Sequence, residues 1–180
     1  MQSDEGATKD QGDQGGLLGI LEMYWDSHYE GTREVHDLEA AIRFTEAAVK
    51  ARPKDHPDRA GWLNNLGIYL SRRYERTGDM HDLGAAIKCA EEGVEATPVD
   101  HPDRAGWLNN LGNRLSSRYE RTGDMHDLEA AIKCAEAAVE ATPVDHPDRA
   151  GWLNNLGIYL SRRYERTGDM HDLEAAIKCA

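Results

Sequence analysis

The chain has 180 residues, 30% of them charged and only one a Phe, and its 21 basic and 33 acidic side chains leave a formal charge of −12. A negative surface repels phosphate backbones and anionic headgroups, so nucleic acid and membrane surfaces are poor partners by default. No stretch approaches the ~18 consecutive apolar residues of a spanning helix, and Met1 to Gly16 lacks the basic start and apolar run of a signal peptide, so a cytoplasmic chain is expected.

Residues 1–16 are rich in Gly, Asp and Gln. They offer too little apolar surface to offset the entropy of ordering and are expected to be a disordered tail or linker. From Leu17 the sequence repeats with a period of 45 residues: Leu17 to Asp55 aligns without gaps on Trp62 to Asp100, Tyr24 matching Tyr69, Tyr29 matching Tyr74 and Pro53 matching Pro98. Trp62, Trp107 and Trp152 each open the phrase Trp-Leu-Asn-Asn-Leu-Gly. The units are 17–55, 56–100, 101–145 and a truncated 146–180. A regular period of this size predicts a solenoid, in which each unit buries its apolar face against its neighbours.

Within the second unit, His56-Pro57-Asp58 reads as a helix start, with Pro at the first helical position. Leu63, Leu66, Gly67, Leu70 and Tyr74 then recur on one helical face. Gly78 is placed as a left-handed cap. A second helix from about Asp82 carries the stripe Leu83, Ala86, Ile87, Ala90 and Val94, and stops before Pro98. Gly67, Ala86, Ala90 and Gly93 leave shallow surfaces where the two helices can cross closely. Residues 17–180 are therefore expected to form seven complete helices and a shortened eighth, without strands.

Leu63-x2-Leu66-Gly67-x2-Leu70 and Ala86-x3-Ala90-x2-Gly93-x4-Pro98 resemble the two helix signatures of the tetratricopeptide repeat. The period exceeds the usual length of about 34 residues, and long units with an Asn-Asn-Leu first helix look like the kinesin-light-chain branch. The near-identical copies of HPDRAGWLNNLG look like the arrays at the C-terminal ends of fungal NLR-like and CHAT-type signalling proteins. The resemblance covers residues 17–180. It implies an all-α fold, a right-handed α-solenoid of helical hairpins whose first helices line a concave groove. It further implies that the groove binds a peptide or protein, as the ligand-sensing region of a larger signalling protein.

No phosphate loop or nucleophile elbow is present, and repeated identical groups do not converge on one point, so neither an enzyme nor a cofactor is expected. The eight His show no His-x3-His pair, and seven of them sit in the inter-helix turns. Turn residues are expected there, not metal ligands. Cys89, Cys134 and Cys179 recur at one position per unit, too far apart to bridge, and read as buried, reduced, small apolar residues.

Residues 56–100 and 101–145 match at 39 of 45 positions. Three of the six differences, Ile68 to Asn113, Tyr69 to Arg114 and Arg72 to Ser117, cluster on one patch of the first helix. By the resemblance, the places matching Asn64, Asn65, Ile68 and Arg72 contact peptides. The Asn pairs Asn64-Asn65, Asn109-Asn110 and Asn154-Asn155 can donate to and accept from a peptide backbone. Asn65, Asn110 and Asn155 are assigned to hold that backbone, while Ile68, Asn113 and Ile158, with Arg114, Arg72, Ser117 and Arg162, read its side chains. The alternative for each Asn pair is that one member bonds a neighbouring helix. A second functional reading is self-assembly: Ile177 and its neighbours should stay uncovered, favouring head-to-tail or helix-exchanged association of copies.

Overall fold

The computed structural model describes residues 20 to 179 apart from Glu22, Arg33 and Arg52. The expected tail at 1–16 and the start of the first unit at Leu17 lie outside the described residues. Every regular element among them is helical: α1 (residues 23–32, with 20 and 21 also helical), α2 (Val35–Ala51), α3 (Arg59–Thr77), α4 (Met80–Glu95), α5 (Arg104–Thr122), α6 (Met125–Glu140), α7 (Arg149–Thr167) and α8 (Met170–Cys179). They fall into two compact units, one ending at Ala96 and the other beginning at Thr97.

The tight turn inside the hairpins α3–α4, α5–α6 and α7–α8 follows from three residues, Thr-Gly-Asp. Gly78, Gly123 and Gly168 adopt φ of 73°, 71° and 73°, where a Cβ would be strained. Each donates its N–H to the carbonyl four residues back, Tyr74, Tyr119 and Tyr164, at 2.7 Å, and so closes the first helix. The next residue starts the second helix: the carboxylates of Asp79, Asp124 and Asp169 accept the N–H of His81, His126 and His171 at 2.9, 3.0 and 2.9 Å. The second helix therefore begins at Met80, two residues ahead of the expected Asp82.

The other junction differs from expectation. Helix α3 begins at Arg59, and Pro57 lies in the turn before it instead of at the first helical position. Asp58 makes no side-chain cap bond. The ring of His56 does related work, its Nδ1 accepting the Asp58 N–H at 3.2 Å. His101 and His146 make the same bond and stack on Trp107 and Trp152, with ring centres 5.2 and 5.3 Å apart. The recurrent His-Pro-Asp is thus a turn device.

Burial follows the apolar stripes. Leu63, Leu66 and Leu70 of α3 are buried with Leu83, Ala86, Ile87 and Ala90 of α4, while Tyr74 is half-buried. Burying each Leu or Ile removes enough apolar surface to contribute roughly 1.5–3 kcal/mol. In the first unit, Tyr29 of α1 and Leu38, Ala41 and Ile42 of α2 join Leu66, Tyr69 and Leu70 of α3 and Ala86 of α4 in one core, so the hairpin α3–α4 completes its interior with its predecessor. Small residues sit at the crossings as expected. A Cβ added at Gly112 would meet the Ala131 carbonyl oxygen at 3.3 Å, and one at Gly93 would meet the Ala60 carbonyl oxygen at 3.4 Å. The three Cys form no disulfide and are half-buried instead of buried. Burial pushes the Cys179 thiol upward, with Glu136 adding to the shift.

Candidate binding face

The hairpins α3–α4, α5–α6 and α7–α8 are each tied across the turn by an arginine nine residues before a buried aspartate. Arg73 donates through Nε and Nη2 to both oxygens of Asp82 at 2.7 and 2.6 Å. Arg118 does the same to Asp127 at 2.7 and 2.5 Å, and Arg163 to Asp172 at 2.8 and 2.6 Å. Two parallel charge-assisted bonds fix angle as well as distance, which sets how the last turn of the first helix meets the first turn of the second. In the first hairpin His28 stands at the arginine position, and Asp37 is served by His28 Nδ1 at 2.8 Å and by the Thr32 hydroxyl at 2.5 Å. Sequence reading overlooked these clamps, although an Arg nine residues before an Asp in every full unit was visible.

The hydrogen bond from Arg163 holds the Asp172 carboxyl below its ordinary value of 3.8, against the opposing effect of burial. Asp37 is lowered too, chiefly by the Thr32 hydrogen bond. A carboxylate with a depressed folded pKa stabilises the protein above its ordinary value and loses that contribution as pH falls through the lowered one. Urea midpoints measured between about pH 6 and about pH 2.5 should therefore drop below about pH 4, and Asp172→Asn should flatten part of that slope. An unchanged slope in the variant would show that the clamp does not couple to folding.

Within each unit the first helices of neighbouring hairpins, α1 with α3 and α5 with α7, meet along a seam, and several of the expected ligand-reading side chains lie in it. In the first unit Arg72 reaches back to α1, donating to Asp26 at 2.8 Å and pairing with Glu30 at 2.8 Å, with its guanidinium 5.8 and 5.9 Å from the Tyr29 and Tyr69 ring centres. In the second unit the equivalent Arg162 reaches α5, bonding Ser116 and pairing with Glu120. The Tyr159 hydroxyl donates to Asn113 at 2.5 Å, and Asn155 Nδ2 donates to Asn109 Oδ1 at 2.9 Å. Burial pushes the Tyr159 phenol upward, with Arg162 acting the other way.

These contacts revise several expectations. Arg114 is only 5% exposed, a buried side chain and not a surface reader. Asn155 bonds the neighbouring helix, the alternative weighed for one Asn of a pair, and Asn113, Arg72 and Arg162 are engaged between repeats. Of the three first-helix positions that differ between copies, 68/113 and 72/117 each supply a residue to this seam, Asn113 in one unit and Arg72 in the other. The Ser117 hydroxyl turns onto its own helix, to the Asn113 carbonyl at 3.0 Å. Asn64, Asn65, Asn109 and Asn110 are half-buried, whereas Asn154 and Ile158 are exposed.

Openings among the described residues lie beside two of the first helices. One, of about 260 Å³, lies between α1 and α3 and is lined by Met23, Asp26, Ser27, Asn65, Ile68, Tyr69 and Arg72, bringing together three of the expected binding residues. The other, of about 430 Å³, lies between α7 and α8, with Asn154, Ile158 and Arg162 along its rim. Among the described residues, no group of three His, Cys, Asp or Glu is placed to hold a metal, and no helix is long and apolar enough to cross a membrane.

Residues 59–103, 104–148 and 149–180 each match the tetratricopeptide repeat family, and together they make up more than half of the chain. The chain belongs to the tetratricopeptide repeat family. The matched units open at Arg59, Arg104 and Arg149, the first residues of α3, α5 and α7. No curated protein sequence matches. Similar tetratricopeptide-like folds are found in BtubC (BKLC) from P. vanneervenii, with a TM-score of 0.67 at 20% identity over 90% of this chain and 61% of that one. The nearly identical repeats of a kinesin light chain candidate from Podospora anserina align with a TM-score of 0.58 at 17% identity, over 93% of this chain and 70% of that one. The DHF58 filament aligns at 0.57 and 15% identity, over 92% and 90%. This chain thus spans less than two thirds of BtubC. The helical-repeat class read from the 45-residue period is the observed one, and tetratricopeptide repeats generally mediate protein–protein interaction and scaffolding.

Proposed function

We propose that the chain is a non-catalytic scaffold that binds a peptide or protein on the face formed by its first helices, within a larger cytoplasmic signalling protein of the kind its repeats resemble. The opening between α1 and α3 carries this reading, because Asn65, Ile68 and Arg72, chosen for binding from sequence, converge there around about 260 Å³. The half-buried amide of Asn65, an apolar Ile68 and Met23, and the Arg72–Asp26 pair suit a segment with an apolar side chain and a polar backbone. A random-peptide selection against the chain should yield binders. Ser27→Trp, which fills the opening from an exposed position, should weaken them at least about tenfold, and Lys88→Glu on the exposed side of α4 should not. Binding that survives Ser27→Trp and is lost in Lys88→Glu places the contact on the second helices.

Association of copies is a second reading, favoured by Ile177, an apolar side chain 66% exposed on α8. The DHF58 filament, an assembly by its name, shares the fold.

A further inference from the structure

The seams of the two units use equivalent positions to different effect. Between α5 and α7 the contact is closed by hydrogen bonds between side chains, Tyr159 to Asn113 and Asn155 to Asn109, and Arg162 faces a single carboxylate, Glu120, beside the Ser116 hydroxyl. Met23 and Asp26 of α1 stand where α5 has Asn113 and Ser116. A thioether is a poor acceptor in place of an amide, and the α1–α3 seam keeps an opening of about 260 Å³ at Met23. Asp26 changes the charge as well. Arg72 is held by two carboxylates, Asp26 and Glu30, both at 2.8 Å, so this seam carries one negative charge in excess where the pairing of Arg162 with Glu120 is balanced.

We propose that the α1–α3 opening takes a basic side chain, lysine or arginine, of the bound segment, and that Asp26 is the residue that selects it. This rests on the reading that a peptide docks in the opening, and names what enters it. A basic side chain matches both features of the site. Its aliphatic stem lies against the exposed Met23 and the half-buried Ile68, and its charged head meets the surplus carboxylate at Asp26, with Asn65 and Ser27 lining the same space. An acidic side chain would meet that excess charge with like sign, because Arg72 is already spanned by two carboxylates. A wholly apolar one would cut the half-buried Asp26 off from water without replacing what it loses.

The test starts from peptides selected from a random library against the full chain. Their affinities are measured by fluorescence anisotropy for the wild type, Asp26→Ser, Glu91→Gln and Ser27→Trp, with circular dichroism to confirm equal helix content. Selected peptides should share a lysine or arginine at one position. Replacing it by methionine should weaken binding to the wild type about tenfold and to Asp26→Ser less than about twofold, because the two changes remove the same interaction. Glu91→Gln, which removes an equal charge on the exposed side of α4, should keep the tenfold difference. If Asp26→Ser loses helix content, Asp26→Asn, closer in shape, takes its place. Binders lost in Ser27→Trp that depend on an acidic or neutral side chain, or a tenfold difference that persists in Asp26→Ser, overturn the selectivity and leave the docking site standing. Binders that ignore Ser27→Trp, or a library that yields none, overturn the docking site and the selectivity with it.

Discussion

Arg118→Met should lower the stability of the second unit by about 2–4 kcal/mol, because it strands the Asp127 carboxylate, 5% exposed, without its bidentate partner. The upper end of that range applies to fully buried pairs, and the partly exposed Arg118 side chain moderates the effect. Arg118→Lys should fall between, since an ammonium cannot supply two parallel N–H bonds. Arg118→Met combined with Asp127→Leu should recover most of the loss, because what is costly is the unpaired charge and not the absence of the pair. The measurement is urea unfolding of the four proteins followed by circular dichroism. A single-variant loss below about 0.5 kcal/mol would mean that the clamp behaves as a surface ion pair.

Two glycines of α5 should respond with opposite signs. Gly112→Leu places a side chain where even a Cβ meets the Ala131 carbonyl oxygen at 3.3 Å and the Tyr159 ring at 3.5 Å, so α5 must shift from α6 and from the seam at once. Overpacking of this kind costs about 1–3 kcal/mol or more. Gly106 has nothing within 4 Å of an added Cβ, and Gly106→Ala should stabilise the helix by about 0.5–1 kcal/mol through reduced freedom of the unfolded chain. Thermal unfolding of both variants checks the pair. Destabilisation by Gly106→Ala, or tolerance of Gly112→Leu, would contradict the packing described.

The elements were legible because their causes are local or periodic. Thr-Gly-Asp encodes its own turn through a positive φ and an Asp cap, and the stripe from Leu63 to Leu70 identifies its buried face from 3.6-residue spacing alone. The 45-residue register extended both to every unit, and small residues at 67, 93 and 112 marked the crossings. The binding face was legible only in part. Asn65, Ile68 and Arg72 do share one opening, but Asn155, Asn113 and Arg162 are drawn into the seam, and Arg114 is buried. Periodicity tells which residues share a face, whereas the partner opposite that face depends on the offset between helices a full repeat apart. Asn155 meets Asn109, Tyr159 meets Asn113 and Arg162 meets Ser116 at a separation of 46 residues, one more than the period, because two helices related by the repeat face each other with different sides, and successive residues of a helix point about 100° apart. The sequence by itself determined the hairpin, its turns and its repeat; the tertiary packing decided which polar side chains were left to meet a partner, since that offset is a property of two helices in contact and of neither alone.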